Sequence, residues 1–370
     1  MTPQSGKSAE VIASLDGIRA LAIGLVFLAH GGLSDIVPGG LGVTMFFVLS
    51  GFLITTLMRV EFMKTGSLDL PAFYLRRFLR LMPPLLLVVI IVLLAQAAGL
   101  VHGAPTAAGV ASVIFYYANY FAIFHDFKGI PAGLGVTWSL AVEEHFYIVF
   151  PALALVLLRF RRGVSVTPLV VLCVGILAWR CWLFAHGASE DRIYMGTDTR
   201  IDSILIGCTL ALLCNPVLDP VPGWVRKYTG AISVAALGVL VGSLVYRTEF
   251  FRETYRFTIQ CLAIAPLIYL AVAQYELAAF RWLNVGPVVY LGKISYTVYL
   301  AHQSCLFFIN ENWPQLGMFP TMVCTALLTL AIAVPMRLFV EIPFARIRKR
   351  LHQRRRATER RVPTLDQAKV

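Results

Sequence analysis

The chain has 370 residues, of which 58% are apolar and only 14% are charged, against about 45–50% and about 25% in soluble domains. A soluble core of this size does not hide that much apolar surface, so the composition is that of a protein embedded in lipid. The formal net charge of +12 does not indicate nucleic acid, because no basic patch is interleaved with a folded module. Its densest part, Arg346, Arg348, Lys349, Arg350, Arg354, Arg355, Arg356, Arg360 and Arg361, follows an apolar run and reads as a cytoplasmic, lipid-facing anchor.

A polar lead of residues 1–14 precedes the first apolar run, which has Asp16 and Arg19 at its mouth and no small-residue cleavage signature. It reads as a retained signal anchor. Hydropathy then offers eleven candidate spans: about 18–33, 41–58, 81–99, 107–124, 138–158, 166–186, 202–215, 229–246, 257–275, 288–309 and 319–341. The loop before the third run (Arg59, Lys64, Arg76, Arg77, Arg80) and the loop after the fifth (Arg159, Arg161, Arg162) are both basic, hence both cytoplasmic. An even number of crossings must separate them, and the weakest run is 107–124, whose centre Phe115 to Tyr120 is aromatic and polar. It is expected to be re-entrant or interfacial on the outer side.

The expected fold is therefore all-α: a polytopic integral membrane helical bundle of about ten transmembrane helices, with both termini cytoplasmic. One membrane domain covers 15–344 and a basic tail covers 345–370, with no repeat or second domain. The seven cysteines are odd in number, lie mostly in apolar runs and show no metal-like spacing, so they read as small buried hydrophobes and no metal is expected.

Four stretches carry chemistry. Arg19 is followed by ten residues and then His30, an imidazole about 16 Å farther along the first span. Ionisable groups at such depth are costly and mark function. Arg76-Arg77-Phe78-Leu79-Arg80-Leu81-Met82-Pro83 sets three guanidinium groups at the cytoplasmic mouth, Arg76 and Arg80 on one helix face. A positive-inside anchor accounts for them, but their forked geometry also suits phosphate oxygens. Glu143, Glu144 and His145 follow Trp138-Ser139-Leu140 inside another span, and Ser295, Tyr299 and His302 recur at i, i+4 and i+7 along a later one.

These motifs resemble the acyltransferase-3 family of bacterial membrane O-acyltransferases. The resemblance rests on Arg19 to His30, Phe47 to Ile54, the RRxxRxxP run, Trp138-Ser139-Leu140 with Glu143, Asp198-Thr199-Arg200-Ile201-Asp202, Ser295-Tyr296 leading to His302, and Glu341-Ile342-Pro343-Phe344. It implies an enzyme of the bacterial inner membrane that moves an acyl group, usually acetyl, from cytoplasmic acyl-coenzyme A to a hydroxyl of an exposed glycan. Some members carry a fused extracytoplasmic hydrolase-like domain. This chain stops soon after its tenth span, so it is expected to transfer the group unaided or to pass it to a separate periplasmic transferase.

At about 1.5 Å per residue, His30, Ser50, His302, Glu143 and Glu144 all fall about 17–22 Å from the cytoplasmic mouth. With the family in view, His30 is expected to be the general base, with Glu143 or Glu144 orienting its ring; a covalent acyl-histidine is the competing route. Arg76, Arg77 and Arg80 are expected to grip nucleotide phosphates. Tyr299 or His302 is expected to stabilise the thioester oxyanion. Arg19 is expected to touch coenzyme A or pair with Asp16, with a snorkelling anchor as the alternative. Trp138 is expected at the acceptor, and Asp198, Arg200 and Asp202 either bind the acceptor or form an ion-pair staple. Glu341 is expected to be a structural tie. The rivals are a proton-coupled transporter, which predicts charges strung from face to face, and a scaffold, which leaves the buried His30, Glu143 and His302 without a reason.

Overall fold

A computed structural model describes residues 5–160 and 162–359. Arg161, Arg360 and Arg361 lie outside the described residues, as do the side chains of Arg162, Lys349, Arg354, Arg355 and Arg356. The helices in chain order are α1 (Ser5–Leu28), α2 (Gly39–Thr65), α3 (Leu70–Ala97), α4 (Ala107–Ile114), α5 (Ala118–His125), α6 (Trp138–Leu157), α7 (Arg162–Ala185), α8 (Glu190–Met195), α9 (Thr197–Leu213), α10 (Gly223–Val245), α11 (Glu249–Glu253), α12 (Tyr255–Ala273), α13 (Ala278–Arg281), α14 (Gly286–Asn312), α15 (Met318–Met336) and α16 (Ile342–Glu359). There is no strand among the described residues. This is the expected all-α class, the architecture in which a chain in lipid pairs its own backbone groups.

Among the described residues, eight segments are long and apolar enough to cross a membrane, on α1, α2, α3, α6, α7, α10, α12 and α15. The other two expected spans, 202–215 and 288–309, fall on α9 and α14, which do not meet that measure. α9 has 17 residues and buries Arg200, Asp202 and Ser203, and α14 buries Ser295, Thr297 and His302. Their polar groups face protein, not lipid. α9 packs on α2, and α14 packs on α1 and α15, so these two form the middle of the bundle.

Small residues permit that packing. A Cβ on Gly51 of α2 would sit 1.9 Å from the Ile204 carbonyl oxygen, and one on Gly207 of α9 would sit 2.0 Å from that of Val48. Close backbone approach of this kind is how helices associate where no hydrophobic force separates protein from lipid.

The run 107–124 is broken into α4 and α5, eight residues each. Each is only about 12 Å long, too short to span. The chain then dips inward through a 3₁₀ turn, Leu134–Thr137, with Leu134 fully buried. Gly133 makes the dip possible: its φ is +74°, and a Cβ there would sit 2.3 Å from the Ser304 amide nitrogen of α14.

Two π-turns interrupt the long helices. One, Ala29–Leu33, closes α1 and carries His30, with Gly32 at φ +106°. The other, Arg337–Glu341, joins α15 to α16. Such turns often occur where a helix must re-aim a side chain.

Candidate active site

Two cavities meet inside the bundle. One, the outer in the orientation expected from the charge balance, is about 780 Å³ and is lined by His30, Trp138, Tyr194, Tyr299, Gln303 and Arg256 among others. The inner one, about 220 Å³, is lined by Arg19, Ser50, Arg77, Arg80, Glu143 and Glu144 among others. Val43 and Tyr299 border both. The Tyr299 hydroxyl donates to the Val136 carbonyl at 3.0 Å and lies 2.7 Å from Ser139 Oγ. A buried tyrosine pinned to the 3₁₀ turn thus stands between the chambers.

In the outer chamber, Nδ1 of His30 lies 2.8 Å from Nε2 of His302. The other nitrogen of His302, Nδ1, faces the carbonyl oxygens of Tyr299 at 2.8 Å and Val298 at 3.2 Å. Carbonyls only accept, so Nδ1 of His302 carries the hydrogen and Nε2 of the neutral ring presents a lone pair. His30 must then donate through Nδ1. Its Nε2 is left with a free lone pair on a side chain that lines the cavity, while His302 is buried behind it. The partners assign the tautomer of both rings.

Beside the inner chamber, the Tyr147 and Ser50 hydroxyls lie 2.9 and 3.1 Å from one Glu143 carboxylate oxygen and in contact with each other, so one hydroxyl donates to the carboxylate and the other donates either to it or to the first hydroxyl. Arg77 reaches Glu143 and Glu144 at 3.5 Å each and lies 3.5 Å above the Tyr147 ring. Arg19 pairs with Asp16 at 3.2 Å, and Arg76 pairs with Glu61 at 2.9 Å. Trp138 and Tyr194 form an aromatic wall of the outer chamber, their ring centroids 4.9 Å apart. At that chamber's rim, outside the long helices, burial and then Glu190 and Asp126 push the Asp191 carboxyl above its ordinary range.

The family model described as "Acyltransferase domain" matches residues 12–338. The chain belongs to this acyltransferase-3 family. It is 32% identical over 309 residues to the peptidoglycan O-acetyltransferase OatA of Listeria monocytogenes, covering 80% of this chain and 49% of that protein. It is 32% identical over 359 residues to the O-acetyltransferase OatA of Staphylococcus aureus, covering 91% of this chain and 57% of that protein. The chain therefore spans about half to three fifths of the length of these relatives. No solved structure matches it. Family and apolar helices together make it a multi-pass membrane protein.

Within that family frame, several expectations are corrected. The acids and imidazoles expected at one depth are divided between two chambers. Ser139 bonds Tyr299, near the middle of the 27-residue α14, so α6 starts deep in the bundle. Glu143 and Glu144 lie farther towards the arginines, and the separation expected between the carboxylates and the cytoplasmic mouth closes to a direct ion pair. Neither carboxylate orients His30: among the described residues, the side chain that bonds its ring is His302.

Asp198, Arg200 and Asp202 do not line either cavity. Asp198 is held by Arg192 at 2.9 and 2.5 Å, by Trp179 at 2.7 Å and by Tyr120 at 3.2 Å. Asp202 takes a two-pronged bond from Arg180, both side chains fully buried. Arg200, also fully buried, lies under Phe257 at 3.9 Å and bonds Thr44. These contacts are those of an ion-pair staple. Glu341 ties Arg337 at 2.9 Å and Thr297 at 2.7 Å.

Gln303 lines the outer chamber and Tyr147 bonds Glu143, and neither is given a role by the sequence; Lys64 and Arg348, read from sequence as orienting charge and lipid-facing anchor, line a cavity beside the arginines. Tyr147 was readable, since it lies one helical turn beyond Glu143. Lys64 and Arg348 look like any other basic residue near a helix end.

Proposed function

We propose that this protein transfers an acetyl group from acetyl-coenzyme A, entering from the cytoplasmic side, to a hydroxyl of a peptidoglycan-type glycan on the outer side. The observation that carries this is the His30–His302 pair, which leaves an unprotonated imidazole nitrogen in an outer cavity that shares Tyr299 with an arginine-lined inner one. The relatives named O-acetyltransferase supply the group, and the Listeria relative's name supplies the acceptor class.

The acceptor hydroxyl gives its proton to Nε2 of His30 as its oxygen attacks the thioester carbonyl carbon. The carbon–sulfur bond then breaks, and the departing thiolate takes the proton back from Nε2. His302 accepts from Nδ1–H throughout and keeps the ring in the useful tautomer, which makes it a positioning residue. Ser50, Glu143 and Tyr147 are already bonded to one another, and we assign them to shaping the inner chamber around the pantetheine arm. The aromatic wall of Trp138 and Tyr194 suits the apolar faces of sugar rings. A volume of about 780 Å³ lies within the usual range of ligand pockets.

The test uses the full chain in lipid nanodiscs with acetyl-labelled coenzyme A and glycan strands. Label should appear as alkali-labile ester on the glycan, and His30→Ala should remove it. Incubation without acceptor should leave the protein unlabelled, whereas a labelled imidazole would replace direct transfer by an acyl-histidine route. Absence of any coenzyme A binding would end the proposal.

A further inference from the structure

Beneath the inner chamber lies a third cavity of about 340 Å³, lined by Glu61, Lys64, Arg76, Arg77, Arg80 and Arg348 among others. Five cationic side chains face one carboxylate there, and Glu61 is taken by Arg76. Among the described residues no carboxylate pairs with Lys64, Arg80 or Arg348. Like charges gathered around one cavity repel one another, and a polyanion bound there relieves that repulsion.

Arg348 arrives from a distant part of the chain. The π-turn Arg337–Glu341, held by the bonds of Glu341 to Arg337 and Thr297, turns α16 onto α3. A lipid-facing anchor would direct this guanidinium outward, but it lines the same cavity as the arginines of α3.

The cavities also give an order along the entry route. Arg77 and Arg80 border both the inner chamber and the third cavity, so they stand at the junction. Lys64, Arg76 and Arg348 border only the third. In coenzyme A the diphosphate lies between the pantetheine arm and the ribose that carries the 3′-phosphate. With the pantetheine arm in the inner chamber and the thioester at its Tyr299 end, within reach of His30, the diphosphate falls at the junction and the 3′-phosphate falls beyond it.

Resting on the donor assignment above, we propose that Arg348 of the C-terminal helix, with Lys64, forms a subsite for the ribose 3′-phosphate of the donor. The site selects phosphorylated coenzyme A from its dephospho form.

The experiment measures binding of acetyl-coenzyme A and acetyl-3′-dephospho-coenzyme A to the full chain in nanodiscs. The unsubstituted protein should hold the dephospho donor about tenfold more weakly, the size of a lost charge-assisted contact. Arg348→Gln should weaken acetyl-coenzyme A about tenfold and leave the dephospho donor unchanged, with Arg348→Lys recovering part of the loss. Equal weakening of both donors would mean a general structural role and overturn the proposal. If Arg348 instead holds a lipid phosphate, Arg348→Gln binds both donors normally and retains less anionic lipid on purification, which also overturns it. Failure of the unsubstituted protein to bind either donor would remove the donor assignment itself.

Discussion

The rings of His30 and His302 are parallel within 3°, with Nδ1 of one 2.8 Å from Nε2 of the other. The geometry makes His302 an acceptor whose removal frees the His30 tautomer. His302→Phe should lower the turnover number by about 10²–10⁴, the range for losing a positioned acid–base group, with the KM for acetyl-coenzyme A unchanged. His302→Gln, which keeps an acceptor oxygen, should recover at least about tenfold of that. Initial rates of labelled acetyl transfer check both, and a fully active phenylalanine variant would disprove the positioning role.

Arg77 reaches two adjacent carboxylates and covers the Tyr147 ring. Its side chain and those of Glu143 and Glu144 are 12–17% exposed, so its removal leaves nearly buried like charges together. Arg77→Ala should destabilise the protein by about 3 kcal/mol, the low end for breaking a buried pair. Arg77→Lys should not restore it, because one ammonium does not reproduce a planar fork stacked on an aromatic. Adding Glu144→Gln to Arg77→Ala should recover part of the loss, as read from thermal unfolding in a fixed detergent.

Asp202 and Arg180 are fully buried and bond each other, which predicts a stability defect without an acceptor defect. Asp202→Asn should lower the unfolding midpoint while the KM for glycan in the surviving enzyme stays within about twofold. A selective rise in that KM would return Asp202 to the acceptor site.

The bundle was legible in the sequence because lipid imposes long apolar runs, and the charge balance correctly rejected 107–124. The polar faces of α9 and α14 weakened their hydropathy for the same reason that they matter, since both are buried against other helices. Site composition was legible where an ionisable residue stands in an apolar run, as at His30 and His302. Its arrangement was not, because depth counted along a helix assumes that the helix starts at the membrane face. The buried 3₁₀ turn before Trp138 breaks that assumption for Glu143 and Glu144. Nor does any local pattern show that His302 folds onto His30, 272 residues away.

The proposed orientation puts residue 160 inside and residue 187 outside. Reporter fusions after these positions should read cytoplasmic and external respectively. The opposite result would invert α7 and all that follows, and would take the arginine cavity away from the compartment that holds acetyl-coenzyme A.

Tyr299 is 6% exposed and borders both chambers, its hydroxyl bonded to Val136 and Ser139. Because that hydroxyl already donates to a carbonyl, it has no second hydrogen for a thioester oxyanion, and its consequence for catalysis is separation. Tyr299→Ala removes the ring that narrows the passage between the chambers, where the thioester meets His30 and the water of the outer cavity. Water then reaches the donor beside His30, and the same base that activates a sugar hydroxyl activates it. Release of coenzyme A without glycan should rise severalfold, while acetyl transfer per coenzyme A consumed falls. Tyr299→Phe keeps the ring and loses only the two bonds, so it should stay near the unsubstituted ratio. Comparing coenzyme A release with ester formation in the same reaction distinguishes a partition from an oxyanion donor, because loss of a donor would slow both products in the phenylalanine variant as well.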